Sequence, residues 1–170
     1  MDGSRSGRIG AALTRSRLHC EHMQDFRRQA VWHRAHAFNL EVQRVVRTFP
    51  RGYAELKSQL LRAADSIPSN IVEGCGAATR KELARYLDIS IKSAFEVDYR
   101  LQFAGDDGVL PYATWQSLTE EVIQIRKMLY AFRMTVLEAD RADEEVKARR
   151  RRQRRHGASR PDDSRSKTDD

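Results

Sequence analysis

The chain has 170 residues, 40% hydrophobic and 32% charged, with only nine Gly and four Pro, which suits one domain built of long elements. Its net charge of +7 is uneven: residues 1–24 carry four Arg against two acids, residues 141–170 eleven Lys/Arg against seven, and 25–140 sixteen against fifteen, so basicity alone does not argue for nucleic acid. Two distant cysteines, Cys20 and Cys75, exclude a disulfide framework and a Cys-type zinc site, and no apolar run approaches the roughly 20 residues of a membrane span.

Residues 1–24 read as a disordered basic extension. Its one apolar stretch, Ile9 to Leu13, is too short for a signal-peptide core, which leaves the cytoplasm as the default location and no membrane as partner. Asp25 is placed to cap a first helix, whose apolar positions are Val31, Ala35, Phe38, Val42, Val45 and Phe49. The steps alternate four and three, an average of 3.5 residues per turn that keeps one stripe on a partner helix. Pro50 and Gly52 end it. The second helix carries Leu56, Leu60, Ala63, Ile67 and Ile71, and contains Pro68, where a kink or break is expected. Ser66, Ser69 and Asn70 are on hand to satisfy the freed backbone groups. That corner is either a tolerated kink around the core or a shape used in assembly.

Gly74 and Gly76 are expected to end the second helix, and Thr79-Arg80-Lys81-Glu82 forms a capping box for the third. The third stripe is Leu83, Leu87, Ser90, Ala94, Val97 and Leu101. Gly105-Asp106-Asp107-Gly108 closes it, and Pro111 suits the first turn of a fourth helix. That helix runs through Trp115, Leu118, Val122, Ile125, Leu129, Phe132 and Val136. Short connections force antiparallel neighbours, so the expected fold is an all-α, up-and-down four-helix bundle over 25–140, kinked at Pro68. Residues 141–170, with Arg149, Arg150, Arg151 and Arg152, are expected to be a disordered Arg-rich tail.

Further apolar residues widen the stripes: Trp32, Leu40 and Val46; Tyr86, Ile91 and Phe95; Ile123, Met128, Tyr130 and Met134. They form either a generous core or a second buried surface for self-association.

Met23-Gln24-Asp25-Phe26-Arg27-Arg28 with Val31-Trp32, then Ser66-Ile67-Pro68-Ser69-Asn70-Ile71-Val72-Glu73-Gly74, then Thr79-Arg80-Lys81-Glu82 and Tyr86-Leu87, resemble bacterial proteins of the rRNA intervening-sequence type. Within that signature Ser66, Ile67, Pro68, Asn70, Ile71, Glu73 and Gly74 are structural positions. The resemblance covers about 23–137. It implies a four-helix bundle, assembly as a homopentamer, and no catalytic residue. It extends to the accessory variability determinant of diversity-generating retroelements, which implies RNA or DNA and a reverse transcriptase as partners. It also leaves residues 1–22, upstream of where relatives begin, as a candidate mis-assigned start.

Chemistry is sparse. His33 and His36 are three apart, but no Glu stands three before a His as a di-iron bundle site requires, so no metal and no cofactor is expected. Glu73 and Glu96 are the only pair considered for acid–base work, and an ion pair is the simpler reading of Glu73. No P-loop, GxGxxG or nucleophile elbow occurs, and the chain reads as no enzyme. Candidate phosphate contacts are Arg27 and Arg34, then Arg44, Arg47 and Arg51 on helix one. Lys81, Arg85 and Lys92 follow on helix three, Arg126 and Arg133 on helix four, and the Arg block of the tail completes the set. Multiplied in an oligomer, such a stripe becomes a ring of positive potential. The expected function is a non-enzymatic oligomeric accessory protein that binds nucleic acid through phosphate contacts. The alternatives are a protein-interaction scaffold and, more remotely, a metal-dependent bundle enzyme.

Overall fold

The computed structural model describes residues 24–157. Four α-helices follow one another: α1 (Ala30–Val45), α2 (Ala54–Cys75), α3 (Arg80–Asp106) and α4 (Tyr112–Gly157), with no strand among the described residues. The chain divides into two units, Met1–Leu137 and Glu138–Asp170. The first holds the bundle.

Cross-helix bonds fix the order of the helices. Asn39 of α1 donates to Asp65 of α2 at 2.9 Å. Ser90 of α3 donates to the Ile67 carbonyl of α2 at 2.8 Å, and Ser66 and Ser93 share a hydrogen bond at 2.9 Å. Arg126 of α4 reaches Asp98 of α3 at 2.8 Å, and Arg34 of α1 grips Glu121 of α4 with bonds of 2.5 and 2.7 Å. Each helix therefore has two neighbours, and successive helices run antiparallel as short loops demand. Tyr53 donates to Asp107 at 2.5 Å, joining the α1–α2 and α3–α4 loops at one end of the bundle. That bond pushes the Tyr53 phenol above its ordinary pKa.

The four stripes make one core. Leu60, Ile67, Ile71, Leu87, Leu101, Ile125 and Leu129 are its largest fully buried side chains. Each contributes about 1.5–3 kcal/mol on burial. The stripe positions are buried with three half-buried exceptions, Val45, Trp115 and Phe132. At the end of α1 the core position is taken by Val46, the residue just beyond it, not by Val45. A helix turning every 3.6 residues drifts from a strict heptad, and Val46 also opens a 3-10 turn, Val46–Thr48.

Several boundaries differ from the sequence reading. Asp25 caps not α1 but a 3-10 turn, Phe26–Arg28, by accepting the Arg27 amide at 3.0 Å. Gln29, with extended backbone, then separates the turn from α1. Pro68 does not break α2, which runs on to Cys75. Asn70 donates to the Ser66 carbonyl and hydroxyl at 2.7 and 3.0 Å, and α3 adds Ser90 on the Ile67 carbonyl. Ser69 is exposed, and these side-chain bonds fall on the carbonyls just before Pro68, whereas the acceptor that its missing N–H leaves is the Ala64 carbonyl, four residues back. Helix α2 ends at Cys75 with Gly76 as its C-cap, as expected, and Gly74 is the last residue but one. A Cβ there would stand 2.9 Å from Leu83 Cδ1 and 3.0 Å from Tyr86 Cβ, so this glycine lets α2 and α3 approach. Thr79 does cap α3, accepting the Glu82 amide at 3.1 Å. Helix α4 continues to Gly157, so the boundary expected at 141 falls inside a helix. Arg, Lys, Glu and Ala dominate 138–155, and all are strong helix formers. The extension before Gln24 and residues 158–170 of the expected tail lie outside the described residues. No described helix is long and apolar enough to cross a membrane.

Candidate nucleic-acid interface

Six of the ten sequence-derived cations of the bundle already face a carboxylate. Arg27 stands 3.9 Å from Asp25 and lies over the Phe26 ring. Arg34 is bidentate on Glu121, which holds its guanidinium pKa above the ordinary value. Arg44 pairs with Glu41 one turn away. Lys92 and Arg133 share Asp88, at 3.0 and 3.7 Å. Arg126 is occupied twice, by Asp98 and by the Phe95 ring, 4.2 Å from its centroid. Arg85 lies against Tyr86. Lys81 is exposed at the start of α3. These residues do not form one basic stripe.

A smaller set does converge. Arg47, in the 3-10 turn Val46–Thr48 that follows α1, meets Lys57 and Arg62 of α2 around a groove of about 440 Å³, whose wall also includes Gln43, Val46 and Leu61. Among the described residues none of these three cations has an ion-pair partner. The one acid of the groove, Asp65, already accepts a bond from Asn39, so the site carries two positive charges in excess. Arg47 and Lys57 sit on different helices, which gives the groove two positively charged walls. Arg51 is exposed in the adjoining 3-10 turn, Arg51–Tyr53. Spacing along a single helix does not mark Lys57 and Arg62 as partners of Arg47, because the set spans two segments of the chain. Sequence gives little signal of it: no acid stands one turn before Arg62, at Ser58 or Gln59, but Asp65 stands one turn after.

The candidate chemistry does not assemble into a catalytic centre. Glu96 turns to Arg100 at 3.7 Å, and Glu73 is exposed. His33 bonds the Arg27 carbonyl at 2.6 Å, and His36 stacks on Trp32. Among the described residues no three His, Cys, Asp or Glu side chains gather as a metal site would require.

The apolar residues that widened the stripes divide. Val46 and Ile91 join the core, and Trp32, Tyr86, Ile123 and Met128 are half-buried. Leu40, Phe95, Tyr130 and Met134 are exposed. On α3, Phe95 continues into Tyr99 and Phe103, which are exposed by 62% and 47%. Steps of four residues put the three aromatics on one side of the helix.

The profile of the 23S rRNA-intervening sequence protein family matches residues 27–131. The chain belongs to that family. No curated protein matches it. Among solved structures, it is similar to a protein of unknown function from the S23 ribosomal protein family of Bacteroides thetaiotaomicron. Identity is 21%, the TM-score is 0.56, and the match covers 61% of this chain and 97% of the other. That likeness concerns the fold. The intervening-sequence match spans all of α1 to α3 and the first turns of α4, and the Arg47, Lys57 and Arg62 groove lies within it.

Proposed function

We propose that this protein is a non-enzymatic, oligomeric accessory protein that binds nucleic acid through its phosphates. The observation that carries the reading is the α1–α2 groove, where Arg47, Lys57 and Arg62, none of them in an ion pair among the described residues, outnumber the one carboxylate, Asp65, by two charges. Guanidinium and ammonium groups on facing walls suit a phosphate chain passing between them. Phosphate contacts carry no sequence code, so binding is weakly sequence-specific and salt-dependent. Family membership points the same way, toward an RNA-related role. Assembly into a pentamer would set five such grooves in one particle and raise affinity by multivalency.

The test is fluorescence anisotropy of the full chain with a mixed-sequence RNA across a salt series, beside R47Q/K57Q/R62Q. The wild type should bind with a log–log salt dependence that the triple variant flattens by about two to three. Equal binding by both proteins would reject the groove. Light scattering on the same samples reads the oligomer, and a monomer at all concentrations would remove that part of the reading.

A second reading, a scaffold that docks a protein, is favoured by the row Phe95, Tyr99 and Phe103. Solvent-facing aromatics in a row are unusual on a monomer surface and common at interfaces. An intact oligomer that ignores RNA at low salt would support it.

A further inference from the structure

From Glu138 onward α4 changes character. Residues 138–145 hold five acids and one Arg, and 147–155 hold Lys147, Arg149, Arg150, Arg151, Arg152, Arg154 and Arg155 with no acid. All seven basic residues are exposed and helical, and Lys147, at the inner end, pairs with Glu144 at 3.3 Å. At 100° per residue they do not share a face. Lys147, Arg150, Arg151, Arg154 and Arg155 spread over one side, and Arg149 and Arg152 lie on the other. The segment is a cylinder of positive charge, with Ala148 its only apolar residue.

We propose that this cylinder docks in the major groove of B-form duplex DNA, with phosphates of both strands on its two sides. Three physical matches single out that partner. The first is charge density. Nine helical residues rise about 13 Å, which gives one positive charge per roughly 1.9 Å. Duplex DNA presents one negative charge per about 1.7 Å, and a single strand only half as many. The second is shape. The B-form major groove, about 12 Å wide, admits an α-helix, whereas the deep, narrow major groove of A-form RNA does not. The third is the missing apolar face. An interfacial helix needs one to enter a lipid headgroup layer, and 147–155 has none. The acidic turns of 138–145 are repelled by phosphate, which confines contact to the terminal turns. Cations also suit the carbonyl end of a helix, and partner phosphates would relieve the crowding of Lys147 with Arg151 and of Arg150 with Arg154.

This inference shares with the proposed function only the premise that phosphate is the ligand. It is tested on the full chain by anisotropy with a labelled DNA duplex, the RNA duplex of the same sequence, and the single strands, over a salt series. R149Q/R151Q/R152Q/R154Q removes four charges while keeping good helix formers. The wild type should favour the DNA duplex over the RNA duplex. The variant should lose that preference, with a salt slope on DNA lower by about three to four. Far-UV circular dichroism checks that α4 persists. If it does not, the charge-preserving R149K/R151K/R152K/R154K, which must retain DNA binding, decides instead. An unchanged slope, or an equal loss on both duplexes, overturns the inference and leaves the groove untouched. R47Q/K57Q/R62Q alongside separates the two: loss of RNA binding there with tail effects absent supports the groove alone, and the reverse supports the tail alone.

Discussion

Replacing Gly74 by Ala sets two known effects against each other. Inside a helix Ala is worth about 0.8–1 kcal/mol more than Gly. Gly74 is the penultimate residue of α2, so the gain is smaller there. Against it, the new Cβ would stand 2.9 Å from Leu83 Cδ1 and 3.0 Å from Tyr86 Cβ. Leu83 is only 2% exposed and has little room to turn away. Tyr86 Cβ is fixed to the α3 backbone and yields only if the helices separate. Overpacking of this kind costs about 1–3 kcal/mol. The net expectation is destabilisation by about 1–2 kcal/mol, with Tm lower by roughly 2–8 °C. Urea unfolding followed by circular dichroism measures it, with a lower midpoint and an unchanged slope. Gly52→Ala is the control, since its Cβ would meet nothing within 4 Å, and it should shift stability by less than about 0.5 kcal/mol. A G74A protein as stable as wild type would refute close α2–α3 packing at this point.

Ser90→Ala removes the buried donor on the Ile67 carbonyl beside Pro68 and should cost about 0.5–1.5 kcal/mol in the same unfolding assay; no loss would mean the α3 hydroxyl does not support the proline turn. Ile67→Ala, at a site with no exposure, should cost about 2–5 kcal/mol by differential scanning calorimetry. Cys75 is 1% exposed, and burial, with a smaller push from Asp25, raises its thiol pKa to about 11. The folded value is the raised one, so the stability it contributes is present below the unfolded pKa of about 9 and lost as pH climbs toward 11. In a Cys20→Ser background, disulfide-reagent labelling at pH 8 should run far below the free-thiol rate, and labelling at that rate would show Cys75 to be accessible.

The fold was legible because a four-three apolar rhythm is a local property, and four stretches carried it, interrupted only by two successive four-steps at Ala63–Ile67–Ile71 and by the polar Ser90. The misses lay where geometry, not pattern, decides. Val46 displaced Val45 because the real helix turns every 3.6 residues and tightens at its end. Gly74 read as a stop signal, yet its missing side chain serves a neighbouring helix. Arg-rich sequence past 141 read as disorder, although its helix propensity carried α4 to Gly157. The candidate site was less legible. Whether a cation is free depends on partners such as Glu121 for Arg34, 87 residues away, and Asp98 for Arg126, 28 away. Those pairings withdrew most of the basic stripe, and helix packing assembled another from Arg47, Lys57 and Arg62.

The central claim is that phosphate enters the α1–α2 groove, and lysine acylation footprinting tests it directly. The full chain is treated with an amine-reactive ester with and without RNA, and each lysine is quantified by mass spectrometry. Lys57, unpaired in the groove, should be strongly protected by RNA, while Lys92, held by Asp88 at 3.0 Å, should change little. Protection of Lys92 with Lys57 still reactive would contradict the account and move the interface to the α3–α4 side of the bundle.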